Sequence, residues 1–188
     1  MPSIFEGQLI RLRAVEPGDW DIHYQWNLDS DNGRMTDEIW FPTSRATVQS
    51  WAERESVRGA EEDGTYRFQI ETLSGKLVGT INTHTCSLRN GTFGYGLAIL
   101  PDHQRKGYAT EAIGLVLRYY FAERRYQKVN AEVYSFNQPS IALHERLGFI
   151  LEGRLRRMVY SGGEYHDRLN FGITSEEFTA ASWNPDRR

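Results

Sequence analysis

The sequence predicts an α/β domain: a mixed, mostly antiparallel sheet of about seven strands with helices on both faces. Three observations carry this. Short stretches of period-two alternation recur between turn-forming dipeptides, as strands joined by hairpins require. One segment, Ala109 to Phe121, instead repeats its apolar residues at i, i+3, i+4 and i+7, the stripe of a helix lying on a core. The chain of 188 residues, 39% hydrophobic and 25% charged, is enough for one domain and its interior.

Residues 9–14 alternate Leu9, Arg11 and Arg13 with Ile10 and Leu12, forming a first strand that ends at Glu16-Pro17-Gly18-Asp19. A helix follows with Trp20, His23 and Tyr24 on one face, closing near Asp29 to Gly33. Arg34 to Phe41 reads as an irregular loop. Thr43 or Ser44 caps a second helix that carries Val48, Trp51, Ala52 and Glu55 toward Gly59. Residues 66–73 and 77–85 are strands joined by Ser74-Gly75-Lys76, and 92–100 is the next, entered through Asn90-Gly91. The amphipathic helix comes next. Its interior Gly114 costs about 1 kcal/mol against Ala, which points to close packing on the sheet. Val129, Ala131 and Val133 alternate in a strand over 128–135. Asn137 caps a helix bearing Ile141, Leu143, Arg146 and Leu147, and Gly148 ends it. Strands over 150–160 and 165–173 flank Ser161-Gly162-Gly163-Glu164. The domain is expected to span 7–174, with 175–188 a tail that frays.

A formal charge of −3 builds no long-range field for nucleic acid, and Arg154, Arg156 and Arg157 read as a solvated strand face or local ion pairs. No apolar run nears the ~20 residues that span a bilayer, and residues 1–7 lack a basic-then-apolar secretion signal. A cytoplasmic protein with no membrane or nucleic-acid partner is expected. A single cysteine, Cys86, leaves no basis for a disulfide framework or a multi-cysteine zinc site, and no metal is expected. The five tryptophans, Trp20, Trp26, Trp40, Trp51 and Trp183, follow no repeat.

Gln104-Arg105-Lys106-Gly107-Tyr108-Ala109 connects the strand over 92–100 to the amphipathic helix. Gly107 and the small Ala109 let backbone amides approach an anion closely. The helix start presents unpaired N–H groups and a positive dipole end, and Arg105 and Lys106 add cationic reach. The segment is neither the Walker pattern G-x-x-x-x-G-K-[ST] nor the dinucleotide pattern G-x-G-x-x-G. It resembles the Q/R-x-x-G-x-G/A segment with which the GNAT superfamily of acyl-CoA-dependent N-acyltransferases holds the pyrophosphate of coenzyme A. Downstream, Asn137-Gln138-Pro139-Ser140 followed by Leu143-His144-Glu145-Arg146-Leu147-Gly148-Phe149 resembles a second signature of that family. Leu9-Ile10-Arg11-Leu12-Arg13, Leu77-Val78-Gly79-Thr80-Ile81 and Gly148 to Arg154 are similar to the subgroup that contains the ribosomal-protein N-terminal acetyltransferases (RimJ/RimL-like) and their small-amine relatives. The resemblance covers residues 7–173.

The resemblance implies the GNAT fold, acetyl-CoA as acyl donor, and N-acetyl transfer to a primary amine by direct attack in a ternary complex. It implies that Leu97, Ala98 and Ile99 offer backbone groups to the pantetheine arm and that Gln104, Arg105, Lys106, Gly107, Tyr108, Ala109 and Thr110 hold the pyrophosphate. Asn137 would bond the pantetheine arm or simply cap its helix. Ser140 and His144 are the catalytic candidates. Serine at the first position is associated with proton donation in the ribosomal-protein subgroup, and His144 stands where many GNAT enzymes carry tyrosine. Their i, i+4 spacing puts both on one helical face. The ribosomal-protein enzymes carry a carboxylate where this chain has Met158-Val159. His84 and Glu132 are the remaining candidate bases, and ordered water could serve instead. The acceptor expected first is a protein or peptide N-terminus. A small amine such as a polyamine, amino sugar or amino-acid derivative is the alternative, and a non-catalytic acyl-CoA-binding module is another. A polyamine site would collect carboxylates, and Asp19, Asp21, Asp29, Asp31, Asp37 and Glu38 are at hand. The subgroup also implies a homodimer.

Overall fold

The computed structural model describes residues 3–36, 38–61 and 64–181. Asp37 and the tail residues 182–188, Trp183 among them, lie outside the described residues. The chain runs β1 (Ile10–Arg13), α1 (Trp20–Asn27), α2 (Ser30–Thr36), α3 (Arg45–Ser56), β2 (Arg67–Thr72), β3 (Leu77–Ser87) and β4 (Thr92–Ile99). It continues with α4 (Tyr108–Ala122), β5 (Lys128–Tyr134), α5 (Gln138–Arg146), β6 (Ile150–Ser161), β7 (Glu164–Thr174) and α6 (Ser175–Ala180). The strands form one seven-stranded sheet in the order β1-β2-β3-β4-β5-β7-β6. Every pairing is antiparallel except β4 with β5, the pair joined through the α4 crossover.

Two helices depart from the sequence expectation. Part of the segment read as an irregular loop is α2, started by Asp29, whose Oδ1 accepts from the amides of Asp31 and Asn32, both at 3.0 Å. Residues 175–180, expected to fray, are α6. Thr174 Oγ1 accepts from the Glu177 amide while the Glu177 carboxylate accepts from the Thr174 amide, a reciprocal cap, and Phe178 is buried in the core. Among the described residues no helix is long and apolar enough to cross a membrane.

Register and alternation give the sheet two unlike faces. One carries Leu12, Ile70, Ile81, Tyr95, Val133 and Phe171, and packs against the buried stripe Ile113, Val116, Leu117 and Tyr120 of α4 and against Ile141 and Leu143 of α5. The other carries Arg11, Arg13, Gln69, Glu71, Thr80, Asn82 and His84 and lies beneath α1 and α3. Its charges are paired. Arg13 reaches both oxygens of Asp19 at 2.8 Å and Glu71 at 2.8 Å, and Arg11 also bonds Glu71. Burial opposes ionisation of Asp19 and Glu71, but the guanidinium bonds outweigh it and hold both carboxyls below their usual range. His23 of α1 lies edge-on to Trp26 and Trp51, its Nε2 2.7 Å from Gln69 Nε2. Burial there pushes it down to about 4.

One bond set fixes the start of α4. The Glu111 carboxylate, in its first turn, accepts from the amides of Gln8, Leu9 and Ile10 at 2.7 to 2.8 Å, tying the helix to the entry of β1.

Candidate active site

β4 and β5 pair only over Thr92–Gly94 and Lys128–Asn130, although β4 runs on to Ile99 and β5 to Tyr134. Past Gly94 the strands part. The gap is a slot of about 220 Å³ through the sheet. Tyr95, Gly96 and Leu97 line one side and Ala131 to Tyr134 the other, with Asn137, Ser140 and His144 of the α5 region at one face and His84 with Met35 and Thr36 of α2 at the other. A parted strand pair presents backbone edges to which an extended, amide-bearing arm can add as a strand.

Asn137 fixes the α5 end of the slot. Its Oδ1 accepts from the Ser140 amide at 3.1 Å, the expected cap, and its Nδ2 donates to the Met35 carbonyl at 2.8 Å. One side chain therefore sets the start of α5 and holds the end of α2 at the slot. His144 is buried, 5% exposed. Its Nδ1 lies 2.7 Å from the Ser140 carbonyl and its Nε2 2.8 Å from the Tyr95 hydroxyl. A carbonyl only accepts, so Nδ1 carries the proton and Nε2 accepts from Tyr95. Burial lowers the His144 pKa and raises that of Tyr95, so both stay neutral. Ser140 Oγ, 3.4 Å from His144 Nδ1, keeps its own O–H for the slot it lines.

The Gln104–Thr110 turn, expected from the resemblance to be a pyrophosphate cradle, stands at the carboxyl end of β4, reached through a turn at Pro101–His103. Arg105 (φ 59°) and Gly107 (φ 86°) both take left-handed backbone, which bends the chain sharply into α4. Gly107 is the N-cap residue and supplies no side-chain cap, and Glu111 makes an early turn bond to the Gly107 carbonyl at 3.1 Å. The amides of Tyr108, Ala109 and Thr110 precede that bond, with the positive end of a 15-residue helix behind them. Gln104 Nε2 donates to the Ile99 carbonyl at 3.2 Å and Lys106 Nζ to the Asp102 carbonyl at 2.9 Å, bracing the turn. Arg105 and Lys106 are exposed.

A larger cleft of about 930 Å³ lies on the polar face of the sheet and meets the slot, sharing Thr36, His84, Gly96 and Leu97 with it. Trp26 and Trp51 wall it, Ile39, Trp40 and Phe41 rim it, and Thr80, Asn82 and Ala98 form its floor. Of the acidic residues read from the sequence as a collecting set, Asp29 and Glu38 line this cleft. Asp19 is bound to Arg13 and Asp31 to Arg34. Arg54 and Arg67 also line it, so the wall is not an acidic trap.

The fold thus gathers Leu97, Asn137, Ser140 and His144 around the slot and puts Ala98 on the cleft floor. Ile99 and Tyr108 pack against the core, and residues 104–110 line neither cavity. Both base candidates border the slot, but Glu132 is held by Arg168 at 3.0 Å whereas His84 faces slot and cleft together. Met158 and Val159 lie on β6, at the sheet edge, and line neither. Sequence reading missed Tyr95, Met35 and Thr36, which join the site through long-range contacts that leave no local pattern. It also passed over the aromatic cleft, although Trp26, Trp40 and Trp51 crowd one short stretch. Among the described residues no group of three or more His, Cys, Asp or Glu side chains is arranged to hold a metal ion.

Residues 10–150 match the Acetyltransferase (GNAT) domain family. The chain is 43% identical over 176 residues to the SPbeta prophage-derived uncharacterized N-acetyltransferase YokL of Bacillus subtilis, covering 94% of this chain and 96% of the relative. It is 27% identical over 171 residues to the spermidine N(1)-acetyltransferase of Vibrio cholerae, covering 90% and 95%. The crystal structure of spermidine N-acetyltransferase from Vibrio cholerae in complex with CoA and spermine superposes with a TM-score of 0.78 at 23% identity, covering 90% of this chain and 98% of that one, a likeness of fold.

Proposed function

The chain belongs to the GNAT acetyltransferase family, and on that premise we propose that it acetylates the primary amine of a small molecule, with donor and acceptor meeting where the slot opens into the aromatic cleft. That junction, at His84, Gly96 and Leu97, is the observation that carries the reading. The expectation of a protein N-terminus rested on the ribosomal-protein resemblance, whose carboxylate is replaced here by Met158-Val159, which line neither slot nor cleft. A relative named as a spermidine acetyltransferase and aligned over nearly the whole chain supports the small-amine alternative.

In this reading the parted edges of β4 and β5 take the pantetheine arm and the Gln104–Thr110 turn takes the pyrophosphate. The residues fit that group: an extended slot for an extended arm, and free-standing helix amides with two cations for a dianion. When bound, acetyl-CoA supplies the thioester that the amine attacks. His84 takes the proton from the attacking nitrogen. A β4 backbone N–H stabilises the oxyanion of the tetrahedral intermediate, and the Ser140 hydroxyl gives its proton to the departing sulfur. His144 acts through Ser140 as a positioning residue, with the Tyr95 bond locking its tautomer. Cytoplasmic acetyl-CoA is the expected source of the donor.

Release of CoA thiol from acetyl-CoA, followed against a panel of small primary amines and a panel of short peptides with free N-termini, tests this. Turnover concentrated in the amine panel supports the reading. Turnover confined to peptides returns the acceptor to the N-terminal class, and none in either panel favours a binding module.

A further inference from the structure

We propose that the acceptor is a primary monoamine with an aromatic-sized apolar body, not a polycation; this rests on the acetyl-transfer reading above and names its substrate class. The rim of the cleft supplies the first argument. Ile39, Trp40 and Phe41 are consecutive, apolar and 49%, 65% and 92% exposed, beside a cavity whose inner wall is Trp26 and Trp51. A cluster of this kind left open to water marks a surface that an apolar ligand covers.

Charge supplies the second. A polyamine needs several carboxylates spaced along its length. Asp29 and Glu38 share the cleft lining with Arg54 and Arg67, and Asp29 already spends Oδ1 on the amides that begin α2. Arg67 is set beside the Trp51 ring at 5.9 Å and 3.7 Å from Glu55, so its guanidinium is held on the cleft wall, where its like charge opposes an ammonium bound beside it. His23, between Trp26 and Trp51, adds a neutral ring to the same wall. The cleft therefore accommodates one amine at the His84 junction and an apolar body behind it.

The test uses the full chain with 2-phenylethylamine and spermidine as paired probes. The expected kcat/KM is about tenfold or more in favour of 2-phenylethylamine, the gain from burying a ring between aromatic walls. In Trp40→Ala/Phe41→Ala, whose folding is checked by thermal melting, that ratio falls toward one. A wild-type preference for spermidine, or a ratio the double substitution leaves intact, overturns the proposal. If CoA binds but neither amine turns over, calorimetric titration of the CoA-saturated protein decides. A saturable response to 2-phenylethylamine that the double variant loses upholds the aromatic site, and no saturable response overturns it. Absence of CoA binding instead sinks the acetyl-transfer reading.

Discussion

Ser140 and His144 share one helical face, as their spacing requires, yet their environments divide the work between them. His144 has both ring nitrogens committed, one to a carbonyl and one to Tyr95, and burial keeps it neutral. The hydroxyl of Ser140 remains to meet the slot. Ser140→Ala is expected to lower kcat by about 10²-fold while the CoA dissociation constant from calorimetry stays put; an unchanged kcat would remove the serine from the chemistry. Arg105 presents a second separable case. Its left-handed backbone costs an L-residue about 1–3 kcal/mol, which glycine would not incur. Arg105→Gly should thus unfold at a denaturant midpoint no lower than wild type but bind CoA several-fold more weakly, and unweakened binding would take Arg105 out of the cradle. The pairing of Ser140 with His144 was readable because it is local. Tyr95, 49 positions away, was not, since only the parted sheet brings it to the imidazole.

Elements with a strong local signal were legible and those held by distant partners were not. The α4 stripe, the hairpin turns and the Asn137 cap all declare themselves within a few residues. The loop containing α2 did not, because Asp29 supplies its cap but Asn137 holds its far end. Nor does alternation in the β4 and β5 segments say that the two strands separate after Gly94; that is a property of the pair. α4 owes its position to a contact of the same kind. The Glu111 carboxylate satisfies three amides at the entry of β1, each by a charge-assisted bond. Glu111→Ala should cost about 2–4 kcal/mol in chemical denaturation, because it leaves those amides without their acceptor. A loss below about 0.5 kcal/mol would mean that the strand entry does not depend on it.

Across the whole molecule, the polar face of the sheet makes folding sensitive to acid. His23 has a folded pKa of about 4 against an ordinary value of 6.5, so the unfolded chain binds its proton first. Its contribution is complete above the ordinary histidine value and is lost as pH falls toward the folded one. Urea denaturation should show about 2 kcal/mol less stability at about pH 5 than at pH 7, with His144 acting in the same direction. Asp19 and Glu71, with lowered values, add their loss only below the usual carboxylate range. A flat profile between pH 7 and about pH 5 would contradict a neutral, buried His23. The same fold that buries this network leaves β4 and β5 open on one side, and in the proposed reading the donor closes that opening. Amide hydrogen exchange with and without CoA puts this to the test. The expected result is new protection along residues 95–99 and 131–137 and at the start of α4 over 104–110, with β1, β2 and β6 unaltered. CoA-dependent protection that avoids the slot and the cradle, or appears on another face of the sheet, would contradict it.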